Sequence, residues 1–325
     1  MKKQEYRPYE ENAKTFQEEA LESRFEVMNL ARKKASKKEW AQHTEKMIHI
    51  IFLLLGLITV GCVLLITVYL VLSGIPAIHE IGLVDFLFGR EWISTADEPK
   101  YGILPFIMTS IYGTAGSIAI GVPVGFMTAV YLSKLASPKV KSVMQSAVSL
   151  LAGIPSVVYG LVGMLVLVPG IRKIFDIPDG ASLLAAIIVL AVMILPSIIK
   201  MSVTALDAVP REYEDASLAL GATPMETYFK VSVLAAKSGI AAAIVLGVGR
   251  AIGEAMAVMM VAGNVPNIPD SLFQSVRFLT TAVSSEMAYS SGLQQQALFS
   301  IALVLFLFIM LINATLNFFL KREKG

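Results

Sequence analysis

The chain has 325 residues, of which 55% are hydrophobic and only 16% charged, with a mean hydropathy of +0.68. Soluble domains carry about a quarter charged residues, so this composition is that of an integral membrane protein. A net charge of +2 with nearly balanced signs gives no indication of a basic nucleic-acid surface. One cysteine, Cys62, in an apolar run, and three scattered histidines (His43, His49, His79) exclude a disulfide framework and argue against a metal centre.

Residues 1–46 hold eleven Lys/Arg and nine Asp/Glu, too long and too acidic for the n-region of a signal peptide. They read as a retained cytoplasmic tail whose Gly- and Pro-free, charge-mixed stretch is helical, solvated or lying on the membrane surface. From residue 47 onward six stretches are apolar enough to cross about 30 Å of hydrocarbon, which takes ~20 helical residues. They run near 48–73, 103–132, 143–170, 182–205, 238–263 and 296–320.

The loop after the second span carries Lys134, Lys139 and Lys141 with no acidic residue, and Lys321, Arg322 and Lys324 follow the sixth. By the positive-inside rule both flanks are cytoplasmic, so both termini are expected inside. The segments 74–102, 171–181 and 264–295 then lie outside with Asp85, Asp97, Glu98, Asp176, Asp179, Asp270 and Glu286; Arg172 and Lys173 are a minor exception.

In the third span Gly153-Ile154-Pro155 removes a backbone donor and a side chain, which predicts a kink opening carbonyls toward protein or a water-filled cavity. Pro123 and Pro196 are candidates for the same in the second and fourth spans. Gly116, Gly121, Gly125, Gly160 and Gly163 leave small surfaces for close helix approach.

The longest inner loop, 206–237, contains "REYEDASLALG", a helix stopped by Gly221, after which Thr223 and Pro224 open a second short helix. This shape suits docking, or packing of an ordinary amphipathic loop on its own membrane domain.

The fifth span reads "IVLGVGRAIGEAMAVMMVAG" over 244–263, with Arg250 and Glu254 near its middle. A charge there is costly and is a functional candidate by default. On one continuous helix the two would lie on the same face about 6 Å apart and neutralise each other, either as a structural lock or as part of a site. A guanidinium matches the bidentate geometry of tetrahedral oxyanions, so Arg250 is the expected anion contact and Glu254 its counter-charge and gate. Glu254 is also the only acidic residue inside any expected span.

The segment "DASLALGATPMETYFKVSVL" resembles the cytoplasmic-loop signature of binding-protein-dependent ABC importer permeases: E-A-A, three residues, Gly, nine residues, I-x-L-P. Asp215, Ala216, Ser217 and Gly221 fill its first part, and Val231, Val233 and Leu234 the second. Leu234 replaces the usual Pro, which predicts a less sharply punctuated return into the fifth span. "LLAGIPSVVYGLVG", "GRAIGEAMAVMMVAGN" and "YGILPFIMTSIYGT" are similar to the permease subunits of phosphate importers, from about residue 47 to the end.

The resemblance implies an all-α, six-span type I importer permease that couples to an ATPase through Glu214, Asp215, Ala216, Ser217 and Gly221. It also implies partners: a second permease subunit resembling PstA, a pair of ATP-binding subunits resembling PstB, an extracytoplasmic phosphate-binding protein resembling PstS, and the lipid bilayer. No Walker A pattern occurs in the chain, so ATP and Mg belong to the partner and the chain carries no cofactor and is not itself an enzyme. A permease for sulfate or molybdate is the alternative; an intramembrane enzyme lacks convergent nucleophile–base or metal groups.

Overall fold

In hydrocarbon every backbone N–H and C=O must be bonded within its own segment, so long apolar runs become helices. The computed structural model describes residues 9–322 and is mostly helical, with one pair of two-residue strands and irregular connections, the longest over 262–278. Residues 1–8 of the expected tail lie outside the described residues. Two compact units divide after Thr67. The first holds most of α1 (Tyr9–Ile81), in which the large apolar side chains from Met47 to Leu65 are exposed on all sides.

The second unit holds the remaining elements. After α1 come α2 (Leu83–Phe88) and the antiparallel pair β1 (Trp92–Ile93) and β2 (Lys100–Tyr101). Then come α3 (Leu104–Val130), ending in a π-helical turn at Tyr131–Leu135, α4 (Pro138–Gly153), α5 (Ser156–Val162), which runs through another π turn into α6 (Val168–Phe175), and α7 (Leu183–Asp207). The loop elements are α8 (Arg211–Ala219), α9 (Pro224–Thr227) and α10 (Val233–Ala235). They are followed by α11 (Lys237–Gly253), α12 (Met256–Val261), α13 (Leu279–Glu286) and α14 (Gly292–Arg322).

Five of these stretches are long and apolar enough to cross a membrane: Glu45–Ile81, Leu104–Leu135, Ser156–Phe175, Leu183–Asp207 and Gly292–Thr315. The pair Pro224–Ala235 and Lys237–Gly253, bent by 71°, reaches that length and apolarity only when the two are taken together, which would bring the number to six. The expected third span, 143–170, is corrected. It is not one kinked helix, because Ile154 and Pro155 are extended (ψ 128° and 142°) and part α4 from the span that starts at Ser156. Pro155 has no N–H to continue α4's ladder and opens α5 instead. Pro123 and Pro196 sit inside continuous α3 and α7 and break neither.

α7 is the centre of the bundle, buried along most of its length. α3 lies against it through glycines: a Cβ on Gly116 would stand 2.6 Å from Ile187, one on Gly121 2.7 Å from Ile194, and one on Gly125 2.9 Å from Ile198. These small residues therefore set the distance between two packed helices. On the side carrying β1 and β2, Glu286 accepts from Trp92 Nε1 (3.2 Å) and Gln294 Nε2 (3.1 Å) and pairs with Arg277. That network ties the hairpin to α13 and α14.

Gly121→Val is expected to lower the stability of the purified protein by about 1–3 kcal/mol, the usual cost of overpacking. Gly56→Ala, where a Cβ meets open space, is expected to leave it unchanged. Thermal unfolding in detergent checks both.

Candidate functional site

The fifth span is discontinuous where its two charges lie. α11 stops at Gly253; Glu254 is extended (φ −76°, ψ 127°) and α12 begins at Met256. Glycine is a weak helix former, and the carboxylate after it competes for backbone donors. Glu254 Oε1 accepts the Ala257 N–H at 2.9 Å, satisfying an orphan donor in the first turn of α12. The Glu254 carbonyl accepts from Thr280 Oγ1 (2.8 Å) of α13.

Arg250 remains on α11 and turns to α7, where its Nη1 donates to Ser197 Oγ at 3.2 Å. The expected Arg250–Glu254 ion pair is therefore absent, because the helix that would have stacked them four residues apart ends between them. Arg250 has five donors and uses one within the described chain. Gly249 and Gly253 border open space, whereas Gly247 packs closely on Ile198. Room next to the guanidinium thus comes from the first two glycines.

The break at Gly153–Pro155 is a neighbour of this one. α5 packs on α12, with a Cβ at Gly160 falling 2.8 Å from the Ala257 Cα and one at Gly163 2.8 Å from Val261. Tyr159 donates its hydroxyl to the Leu151 carbonyl across the α4–α5 break (2.7 Å). The helix that follows the first break thus packs on the helix that follows the second, and Arg250 lies four residues before that second break. Discontinuous membrane helices are where transporters place exposed backbone dipoles and their ion or substrate sites.

The inner loop forms the second candidate region. α8 has no buried residue, and Tyr213, Leu218, Leu220 and Met225 expose apolar surface around it. Its inward side is anchored: Glu214 accepts from Lys134 Nζ (2.5 Å) and Ser232 Oγ (2.8 Å), and Ser217 shares a 2.9 Å hydrogen bond with Thr227. Asp215 and Ala216 are exposed. Gly221 closes the helix at φ +87°, and a Cβ there would meet nothing within 4 Å, so backbone conformation rather than space demands glycine. Thr223 and Glu226 then form a capping box for α9.

The return into the fifth span is sharper than Leu234 suggests: α10 and α11 meet at Ala236 with a 71° bend. Burial pushes the Glu214 carboxyl up. The hydrogen bonds from Lys134 and Ser232 and the charges of Lys134 and Arg211 outweigh it and hold the group below the usual carboxylate range.

Sequence reasoning missed Ser197 and Lys200 of α7. The signal for Lys200 was present, an unaccompanied lysine inside the expected fourth span, 182–205. For Ser197 there was none, since only the fold brings it to Arg250.

Residues 121–324 match the family of binding-protein-dependent transport system inner membrane components. The chain is 38% identical over 296 residues to a protein named probable ABC transporter permease protein YqgH from Bacillus subtilis, covering 89% of this chain and 96% of that one. It is 34% identical to the phosphate transport system permease protein PstC of Pasteurella multocida, covering 69% and 75%. It is 32% identical to the PstC of Haemophilus influenzae, covering 82% and 89%. Among solved structures, the inward-facing MetNI methionine ABC transporter shares the fold at 22% identity and TM-score 0.51, covering 68% of this chain and 94% of that one.

The depressed Glu214 group adds stability above its unfolded value and loses it as pH falls through its lower folded value. Backbone hydrogen exchange over 211–219, corrected for intrinsic rate, is therefore expected to hold steady from pH 7 to about 5 and rise below about 4. Glu214→Gln is expected to exchange fast already at pH 7. Gly221→Ala is expected to cost about 1–2 kcal/mol of turn stability despite its small size. Gly221→Asn is expected to be milder, and co-purification of the ATPase subunit reads both.

Proposed function

The chain belongs to the family of binding-protein-dependent transport system inner membrane components, and on that premise we propose that it is the PstC-type permease subunit of an ATP-driven phosphate importer. As an ABC importer permease it spans the membrane several times and works with an ATPase and a substrate-binding protein. It performs no bond chemistry of its own. The observation that carries the anion reading is a guanidinium that commits one of its five donors among the described residues and stands four residues before a break in its own helix. The relatives named for phosphate transport favour phosphate over sulfate or molybdate.

In this reading the pathway forms between the chain and a second permease subunit resembling PstA. Two ATP-binding subunits resembling PstB, carrying ATP and Mg, dock on α8 and Gly221. A phosphate-binding protein resembling PstS delivers the anion to the opposite face. The location is the bacterial cytoplasmic membrane, with both termini, the tail 1–46 and the loop 206–237 inside, and 47–325 forming the permease domain. Arg250 holds phosphate in the pathway. Glu254, with one oxygen committed to α12, presents the other to the anion's remaining proton, which phosphate has near neutral pH and sulfate lacks. Gly153 and Pro155 supply the neighbouring break.

The test is uptake by the reconstituted complex with its binding protein. Arg250→Lys keeps the charge but loses the fork, and is expected to reduce phosphate uptake about tenfold, with Arg250→Gln worse. Glu254→Gln is expected to let sulfate compete better. Wild-type phosphate uptake by Arg250→Gln would refute the anion contact, and stimulation of ATP hydrolysis by a sulfate-loaded rather than a phosphate-loaded binding protein would transfer the function to the other oxyanion.

A further inference from the structure

α7 carries a second cation on the face that meets Arg250. Lys200 lies in the half of α7 that ends at Asp207, and it is exposed. Its ammonium has no hydrogen-bond or ion-pair partner among the described residues. A lone lysine inside a transmembrane helix is costly unless it faces protein, water or headgroups.

Its surroundings favour the first two. Ser197, one turn before Lys200 on the same face, is the residue that accepts from Arg250. The rise between them is about 4.5 Å along the axis. Cα–Cβ bonds on a helix tilt toward its N-terminus, which for Lys200 is the direction of Ser197 and away from Asp207. To reach headgroups at the Asp207 end it would have to run against that tilt, past Thr204, along about two further turns. At that end the polar groups are already committed: Asp207 takes Ser133 and Lys141, and Glu214 takes Lys134. Helical spacing thus puts Lys200 one turn beyond the Arg250–Ser197 hydrogen bond on the same face of α7, the three residues following one another as a short polar ladder.

We propose that Lys200 is a second anion station, receiving phosphate from Arg250 across the Ser197 hydroxyl on its way to the cytoplasm. This rests on the reading of Arg250 as the first contact. A single deep guanidinium that binds well also releases slowly; a second cation one turn inward shares the anion and lowers the exit barrier, as multi-site occupancy does in channels. The ladder carries no counter-charge, so the anion itself would balance it.

The test uses the complete importer in a cysteine-free background, which in this chain requires only Cys62→Ser. Lys200→Cys is expected to lower maximal phosphate uptake about tenfold while leaving binding-protein-stimulated ATP hydrolysis in place. Modification with an ammonium-bearing methanethiosulfonate is expected to restore uptake. The sulfonate-bearing reagent is expected to react, to depress uptake further, and to be slowed by phosphate. Wild-type uptake by unmodified Lys200→Cys, failure of the charged reagents to reach it, or equal effects of both reagents would each overturn the proposal, the second marking a lipid-facing lysine. Arg250→Gln is measured alongside. If it is inactive while Lys200→Cys is normal, only the second station falls. If Arg250→Gln transports normally, the first reading falls and takes this one with it.

Discussion

The break between Gly253 and Met256 is the constraint on which the rest of the structure depends. A helix interrupted inside the bundle leaves backbone groups that lipid cannot satisfy, so protein must satisfy them. Glu254 does so from the chain itself, giving one carboxylate oxygen to the Ala257 N–H and its own carbonyl to Thr280. The carboxylate is thereby removed from Arg250, which turns to Ser197. Had the helix continued, the two charges would have cancelled. The interruption separates a structural anion from a cation with donors to spare.

That arrangement gives the inner loop something to move. α8 is held by Glu214 to Lys134, at the end of α3, and to Ser232, and from Ser232 the chain passes through α10 and a 71° bend directly into α11. A displacement of α8 is therefore applied to both α3 and α11, and α11 carries Arg250. The close glycine contacts of α3 with α7 favour sliding or rocking of whole packed helices over local deformation, because a dense interface has few intermediate arrangements. In the proposed cycle the ATPase supplies the displacement and the helix break is where it alters the anion site.

Much of this was legible in the residues. Apolar length located most of the spans, Gly221 with Thr223 and Pro224 marked where the loop helices end and begin, and two charges in an apolar run pointed to the candidate site. What periodicity could not reveal was continuity. A run such as 244–263 has the same hydropathy whether it is one helix or two, and the identity of Glu254's partner depends on that difference. The same holds for 143–170, where a proline signals strain but not whether the helix bends or ends. The bend at Ala236 arises without the proline usual at position 234, since an αR residue with ψ near 0° is enough to redirect the chain. Ser197 was invisible because its meaning comes from a contact 53 residues away.

The central claim is that Arg250 and Glu254 do separate jobs and are not a pair. Phosphate uptake by the charge-reversed double variant, Arg250→Glu with Glu254→Arg, tests it most directly. An ion pair is indifferent to which partner bears which sign, whereas an anion contact and a helix-capping carboxylate are not. The account predicts that the double variant transports no better than Arg250→Gln, and uptake near the wild-type rate would contradict it.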